Sequence, residues 1–206
     1  MGRVGGRQSK LVWAGVIGPV TFVAIDLLAA ALRPGYDLTF HTVSRLAVGP
    51  LGWLQTLNFV VVGVLTILLG VGLLARSQLL GGLFGLWGLG FVLLALFPTD
   101  PSGLYPLRQR IHYWILDGVA LLFPLMCLAA AVAFWQRRRF FSIFSLALCL
   151  LVAFVAASWL LRPQEVLASP RLGLYERAII WTAVMWCLAL SWKIRTDEPP
   201  CPPPNA

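Results

Sequence analysis

Long unbroken apolar runs dominate this chain, and polar residues fall almost entirely between them. The runs cover 11–32, 51–75, 79–97, 112–135, 140–161 and 175–193. About 20 apolar residues in a helix suffice to cross the hydrocarbon core of a bilayer, so each run is long enough to span. Within hydrocarbon every backbone N–H and C=O must be paired inside its own segment, which makes the runs helices. The apolar positions are continuous rather than alternating, and this excludes a membrane β-barrel. The predicted fold is all-α: a polytopic membrane protein, a bundle of six transmembrane helices forming one domain over 1–193. Residues 194–206, IRTDEPPCPPPNA, are proline-rich and predict a disordered cytoplasmic tail.

Composition agrees with that pattern. Of 206 residues, 59% are hydrophobic and only 12% charged, about half the ~25% of a soluble domain. Mean hydropathy is +0.83. A soluble fold could not cover such a core with polar surface. The net charge of +8 has an ordinary source in basic residues that flank spans and orient them. No basic run is interleaved with exposed aromatics, so nucleic acid is not an expected partner. None of the four cysteines forms a CxxC pair, and three lie within spans as small apolar side chains. The first run is too long for a signal-peptide core and is kept as a span.

Charge also suggests an orientation. With the N-terminus inside, the inner segments carry Arg3, Arg7, Lys10, Arg76, Arg137, Arg138, Arg139, Lys193 and Arg195, nine of the sixteen Lys and Arg residues. The inner loops are also much the shorter. Both termini are therefore expected on the cytoplasmic side of a cell membrane. Polar complexity gathers in the three outer loops, 33–50, 98–111 and 162–174. The third span is dense in glycine, with Gly81 and Gly85 four apart; small residues at that spacing let helices approach closely, here within the bundle.

The first outer loop reads RPGYDLTFHTVSRLAVGP. Pro34 and Gly35 break the first helix. From Asp37 the spacing fits a short interfacial helix that places Asp37, His41, Ser44 and Arg45 on one face. An acid, a base and a hydroxyl in that order resemble an activated nucleophile, or else form a local polar face. In the second outer loop Asp100 either terminates the chain before Pro101 or joins a site, and His112 opens the fourth span. Ser44, Asp100 and His112 are the catalytic candidates. His41 and His112, with Asp100 as a third donor, are candidate metal ligands, although no HExxH-type pairing supports them. His41, Asp100, His112 and Arg177 are expected on one membrane face, at least two of them within side-chain reach.

Asp26 in the first span and Asp117 in the fourth are intramembrane acids. A charge in hydrocarbon costs ~2.5–3.5 kcal/mol on insertion scales, so such residues have partners or functions. The outer arginines Arg33, Arg108, Arg110, Arg162, Arg171 and Arg177 are candidate partners. Before the last span, Glu176 and Arg177 either pair with other helices or, with Tyr175, anchor the interface. Asn58 is placed to bond between helices. Tyr36, Asn58, Glu176 and Arg177 make up the candidate lipid- or partner-binding set.

Four pieces follow one another along the chain: RPGYDLTFHTVSRLAVGP after the first span, Asn58 in the second, FPTD followed by His112, and GLYER before the last. In this the chain resembles the six-helix membrane proteins of bacteria and archaea grouped as domain of unknown function 998, over about residues 11–193. The resemblance implies the fold and topology, and it marks Ser44, Asn58, Asp100, His112 and Arg177 as family-like positions. It supplies no activity and no cofactor.

Three functions fit. One is an accessory protein that binds lipids, or another membrane-protein subunit, through a polar site at the extracytoplasmic face. A second is a membrane-embedded lipid hydrolase, with or without a metal. A third is a small proton- or cation-coupled transporter using Asp26 and Asp117.

Overall fold

A computed structural model describes residues 10–161 and 169–196. The chain is all-helical, with α1 over Ala14–Ala31, α2 over Gly52–Leu73, α3 over Gln78–Leu96, α4 over Pro106–Phe134, α5 over Arg139–Leu161 and α6 over Leu172–Thr196. Among the described residues there is no strand. Five of these helices, α1–α4 and α6, are long and apolar enough to cross a membrane. The sixth, α5, has a shorter apolar stretch over Arg139–Val155 within the described residues. This is a multi-pass membrane protein. Arg3, Arg7, Arg162 and the tail from residue 197 lie outside the described residues.

The largest extensions of helix beyond the hydropathy runs are in α4 and α6. α4 begins at Pro106, six residues before the run at 112–135. Proline suits the first turn of a helix, where its missing N–H has no partner to lose. The polar turn Leu107–Arg110 is therefore helical, and His112 sits inside α4 rather than at its start. α6 runs on to Thr196, so residues 194–196, expected at the start of a disordered tail, are helical.

The helices are held by two kinds of contact. Between α2 and α3, backbone meets backbone. A Cβ added at Gly63 would lie 2.7 Å from the Gly88 carbonyl oxygen, and one at Gly70 would lie 2.7 Å from that of Gly81. Glycine is required there because nothing larger fits the approach. The pairs that matter are Gly81 and Gly88 against α2; Gly85, expected with Gly81, has open space around its Cβ position. Elsewhere aromatic side chains fill the interior. Trp186 of α6 stacks on Phe84 at 6.0 Å and meets the edge of Phe123 at 5.6 Å, which joins α3, α4 and α6. Its indole N–H donates to Ser145 Oγ of α5 at 3.0 Å, so the ring's polar atom is satisfied inside the bundle.

The loop between α1 and α2 folds differently from the amphipathic helix that its spacing predicts. Only Val43–Ala47 is helical, as a 3-10 turn. The Asp37 carboxylate accepts both the backbone N–H and the hydroxyl of Thr39, at 2.8 and 2.7 Å. Asp side chains offer the backbone this alternative to a helix, and here the alternative wins. Asp37, His41 and Ser44 consequently do not share a face.

Candidate functional site

Arg177, in the second turn of α6, is 4% exposed and organises the end of the bundle where α1 finishes and α6 begins. Its Nε lies 3.3 Å from Asp26 Oδ2 in α1. Its Nη1 donates to the carbonyls of Leu38 (2.9 Å), His41 (2.7 Å) and Gly173 (3.3 Å). Its Nη2 donates to the Tyr36 hydroxyl. A planar guanidinium with five fixed donors can bind a carboxylate, a phenol and backbone carbonyls together; an ammonium could not cover this span. Asp26 is fully buried and also accepts from the Trp181 indole at 3.2 Å.

Tyr36 completes the strap. Its hydroxyl donates to the Thr42 carbonyl (2.7 Å), sharing its one hydrogen with the His41 carbonyl (3.0 Å), while accepting from Arg177. Burial raises the phenol's pKa to about 12, so it stays a donor at any physiological pH. Gly173 lets the loop lie directly on α6, because a Cβ there would run into the carbonyls of His41 and Leu38. The Leu174 N–H donates to the Thr39 carbonyl at 2.9 Å.

Next to Arg177, Glu176 is buried and faces the 3-10 turn. Its carboxylate accepts the Val43 N–H at 2.6 Å and the Ser44 hydroxyl at 3.4 Å. The Val43 N–H opens the 3-10 turn, where a carboxylate is favoured by the unpaired amides. On their other side Ser44 and Glu176 border a cavity of about 90 Å³. Its walls are apolar, among them Trp87 and Phe91 of α3, Val152 of α5 and Ile180 of α6; Asp117 of α4 is its third polar lining residue.

A second polar cluster forms at the end of α3. Asp100 accepts from the Ser102 hydroxyl and N–H and from the Tyr105 N–H, and it lies 3.6 Å from Arg108. The Ser102 hydroxyl first, with these amides and the nearby guanidinium, lowers the Asp100 pKa below the usual carboxylate value. His112 Nδ1 lies 2.7 Å from the Phe97 carbonyl and so donates to the frayed end of α3.

The sequence candidates thus divide. The alternation of helices places His41, Asp100, His112 and Arg177 at one end of the bundle, and Arg177 reaches the His41 backbone. The catalytic set Ser44, Asp100 and His112 is bound by three separate partners: Glu176, the 102–105 turn and Phe97. His41 and His112 also serve different places. His41 Nδ1 accepts the Asp37 N–H at 3.0 Å, and burial with the nearby Arg45 charge lowers its pKa and favours that neutral, accepting form. Among the described residues no group of three or more His, Cys, Asp or Glu is placed to hold a metal. Asn58 donates to the Phe22 carbonyl of α1 at 3.0 Å and to Gln55 at 3.3 Å. Sequence reading passed over Gln55 and Trp181. Gln55 and Asn58 are three apart, one face of one helix, and that spacing was the available signal.

No curated protein and no solved structure matches the chain. A family model described as protein of unknown function (DUF998) matches residues 16–193. With most of the chain covered, and with the helical membrane bundle that its sequence pattern predicts, the protein belongs to the DUF998 family.

Proposed function

We propose that this is a membrane protein of accessory type that holds an amphiphile from the surrounding bilayer. Its polar site lies at the extracytoplasmic end of the bundle, and both termini lie in the cytoplasm of a cell whose plasma membrane it spans. Membrane lipids are the partners this reading names; a second membrane-protein subunit is the further partner of an accessory role. The observation that carries the reading is the cavity of about 90 Å³, apolar along its walls, with Ser44, Glu176 and Asp117 among the residues that border it. Apolar walls with a few placed polar groups are the common form of a small-molecule site. A dry apolar cavity of ~150 Å³ is known to take up benzene, so this space suits a hydrocarbon segment rather than a whole lipid.

The test is photolabelling in nanodiscs with a lipid carrying a diazirine on its acyl chain. Adducts are expected on peptides of α4–α6 that line the cavity. Ala120→Trp, with Val152→Phe as an independent filling variant, is expected to reduce those adducts several-fold and leave labelling of the outer helix surface unchanged. Equal labelling of the cavity in the wild type and in both variants, each with its fold intact by circular dichroism, rejects the reading.

A further inference from the structure

We infer that a water molecule is bound between α1 and α2, held by Asp26, Gln55 and Asn58. The register of the two helices brings these residues together. A Cβ added at Gly18 would lie 3.4 Å from Leu65 Cβ and 3.9 Å from Val62. Further along α1, Phe22 stacks on Phe59 at 6.3 Å, and its carbonyl accepts from Asn58 at 3.0 Å. The helices are thus antiparallel. One turn on from Phe22 in α1 is Asp26, and one turn back from Asn58 in α2 is Gln55. In an α-helix the Phe22 carbonyl also accepts the Asp26 N–H, so the Asn58 amide sits beside the Asp26 backbone. Gln55 is tied to the same spot through Oε1, which accepts from Asn58 Nδ2 at 3.3 Å. All three side chains are fully buried.

Each of the three keeps one polar atom that no group among the described residues bonds: Asp26 Oδ1, Gln55 Nε2 and Asn58 Oδ1. The charge of Asp26 is met through its other oxygen, by Arg177 and Trp181. The Phe22 carbonyl fixes how the amides face. It needs a donor, so Asn58 turns its nitrogen to it, and Gln55 turns its oxygen to that nitrogen. One donor and two acceptors remain. Unpaired polar atoms are costly in a bundle surrounded by hydrocarbon. A water offers a lone pair to Gln55 and a hydrogen each to Asp26 and Asn58, and about three bonds are the usual number for a buried water. A sodium or potassium ion would face the Gln55 amide hydrogens, and an ammonium has no lone pair for them. An alcohol has one hydrogen and would leave an acceptor open. Since Asp26 also holds Arg177 and Trp181 of α6, the water extends that clamp to α2. None of its three ligands lines the cavity described above, so this site stands apart from the amphiphile reading.

The experiment is hydroxyl-radical footprinting by X-ray radiolysis of the full chain in nanodiscs, read by mass spectrometry. An internal water produces the radical where it sits, so buried neighbours are oxidised. Phe22 and Phe59, beside the site, are expected to be modified several-fold faster than Phe84, which is just as buried but packs on Trp186. Gln55→Leu and Asn58→Leu each remove part of the site and are expected to bring Phe22 and Phe59 down to the Phe84 rate. No excess at Phe22 and Phe59 in the wild type overturns the proposal, whether or not the variants fold. An excess that survives in both folded variants overturns the assignment to these side chains. Crystals grown from lipidic mesophase in a rubidium salt identify the ligand. Density bonded to the three atoms, with no anomalous signal, is the expected water. An anomalous rubidium peak there, or a direct bond from Gln55 to Asp26, overturns it.

Discussion

Two polar clusters stand at the same end of this bundle and are built on different scales. The cluster around Asp100 is local: its hydrogen bonds to Ser102, Tyr105 and Gln109 span at most nine residues, and His112 reaches back fifteen to Phe97. The cluster around Arg177 joins positions 132 to 155 residues apart, across α1, the 33–50 loop and α6. Bonds of the first kind form as soon as the turn forms, and they finish a helix end. Bonds of the second kind exist only when the bundle has assembled, and they hold it together. In hydrocarbon there is no hydrophobic force between helices, so packing and polar contacts must do this. Only the second cluster borders the cavity. Residue type alone does not separate the two, since both contain an acid, an arginine and a serine.

The largest expected effect comes from removing the centre of the long-range cluster. Arg177→Met leaves Asp26 buried without a cation and takes the guanidinium donor from the Leu38 carbonyl. Breaking a buried pair from one side costs about 3–5 kcal/mol. Unfolding by sodium dodecyl sulfate in mixed micelles measures it. Asp26→Asn is expected to cost much less in the Arg177→Met background than in the wild type, because the charge it removes is then uncompensated. Additive costs would mean that the pair does not couple α1 to α6.

A smaller effect is expected from Gly173→Ala. The added Cβ meets the His41 and Leu38 carbonyls, which belong to backbone and cannot swing aside. Overpacking of this kind costs about 1–3 kcal/mol. Hydrogen exchange then sharpens the comparison: the Leu174 N–H, bonded to Thr39, is expected to lose protection while the Tyr105 N–H of the local cluster keeps it. Loss at both sites would show the two clusters to be one cooperative unit.

The helices were legible because the bilayer demands long apolar runs, and such runs are visible residue by residue. Arg177 was legible only as one of six outer arginines available to Asp26; which one pairs depends on how α6 packs against α1, and hydropathy carries no information about that. Ser44 was legible as a polar residue on a supposed helical face. Its partner Glu176 was not, because the Asp37–Thr39 turn replaced that helix and turned Ser44 inward. Gln55 was missed although it is fully buried, since one amide in an apolar run reads as tolerated rather than placed.

The smallest effect, and the one that isolates the local cluster, is expected from acid. The Asp100 carboxylate is held below its ordinary value of 3.8 by bonds to Ser102 and Tyr105 and by Arg108. Its folded-state pKa is thus the depressed one, so its contribution is fully present above the ordinary value and is lost as pH falls through the depressed one. At neutral pH the carboxylate is ionised and the 100–105 turn is expected to be protected. Asp100→Asn removes the charge at every pH, so it should open that turn at neutral pH and abolish its acid response below about pH 4. Hydrogen exchange at the Ser102 and Tyr105 amides reads this directly. The Leu174 amide should not respond to Asp100→Asn, because among the described residues no bond of the local cluster reaches the strap over α6. A change there on Asp100→Asn would mean that the loop after α3 supports the Arg177 cluster from outside, and the division into a local cap and a long-range clamp would have to be given up.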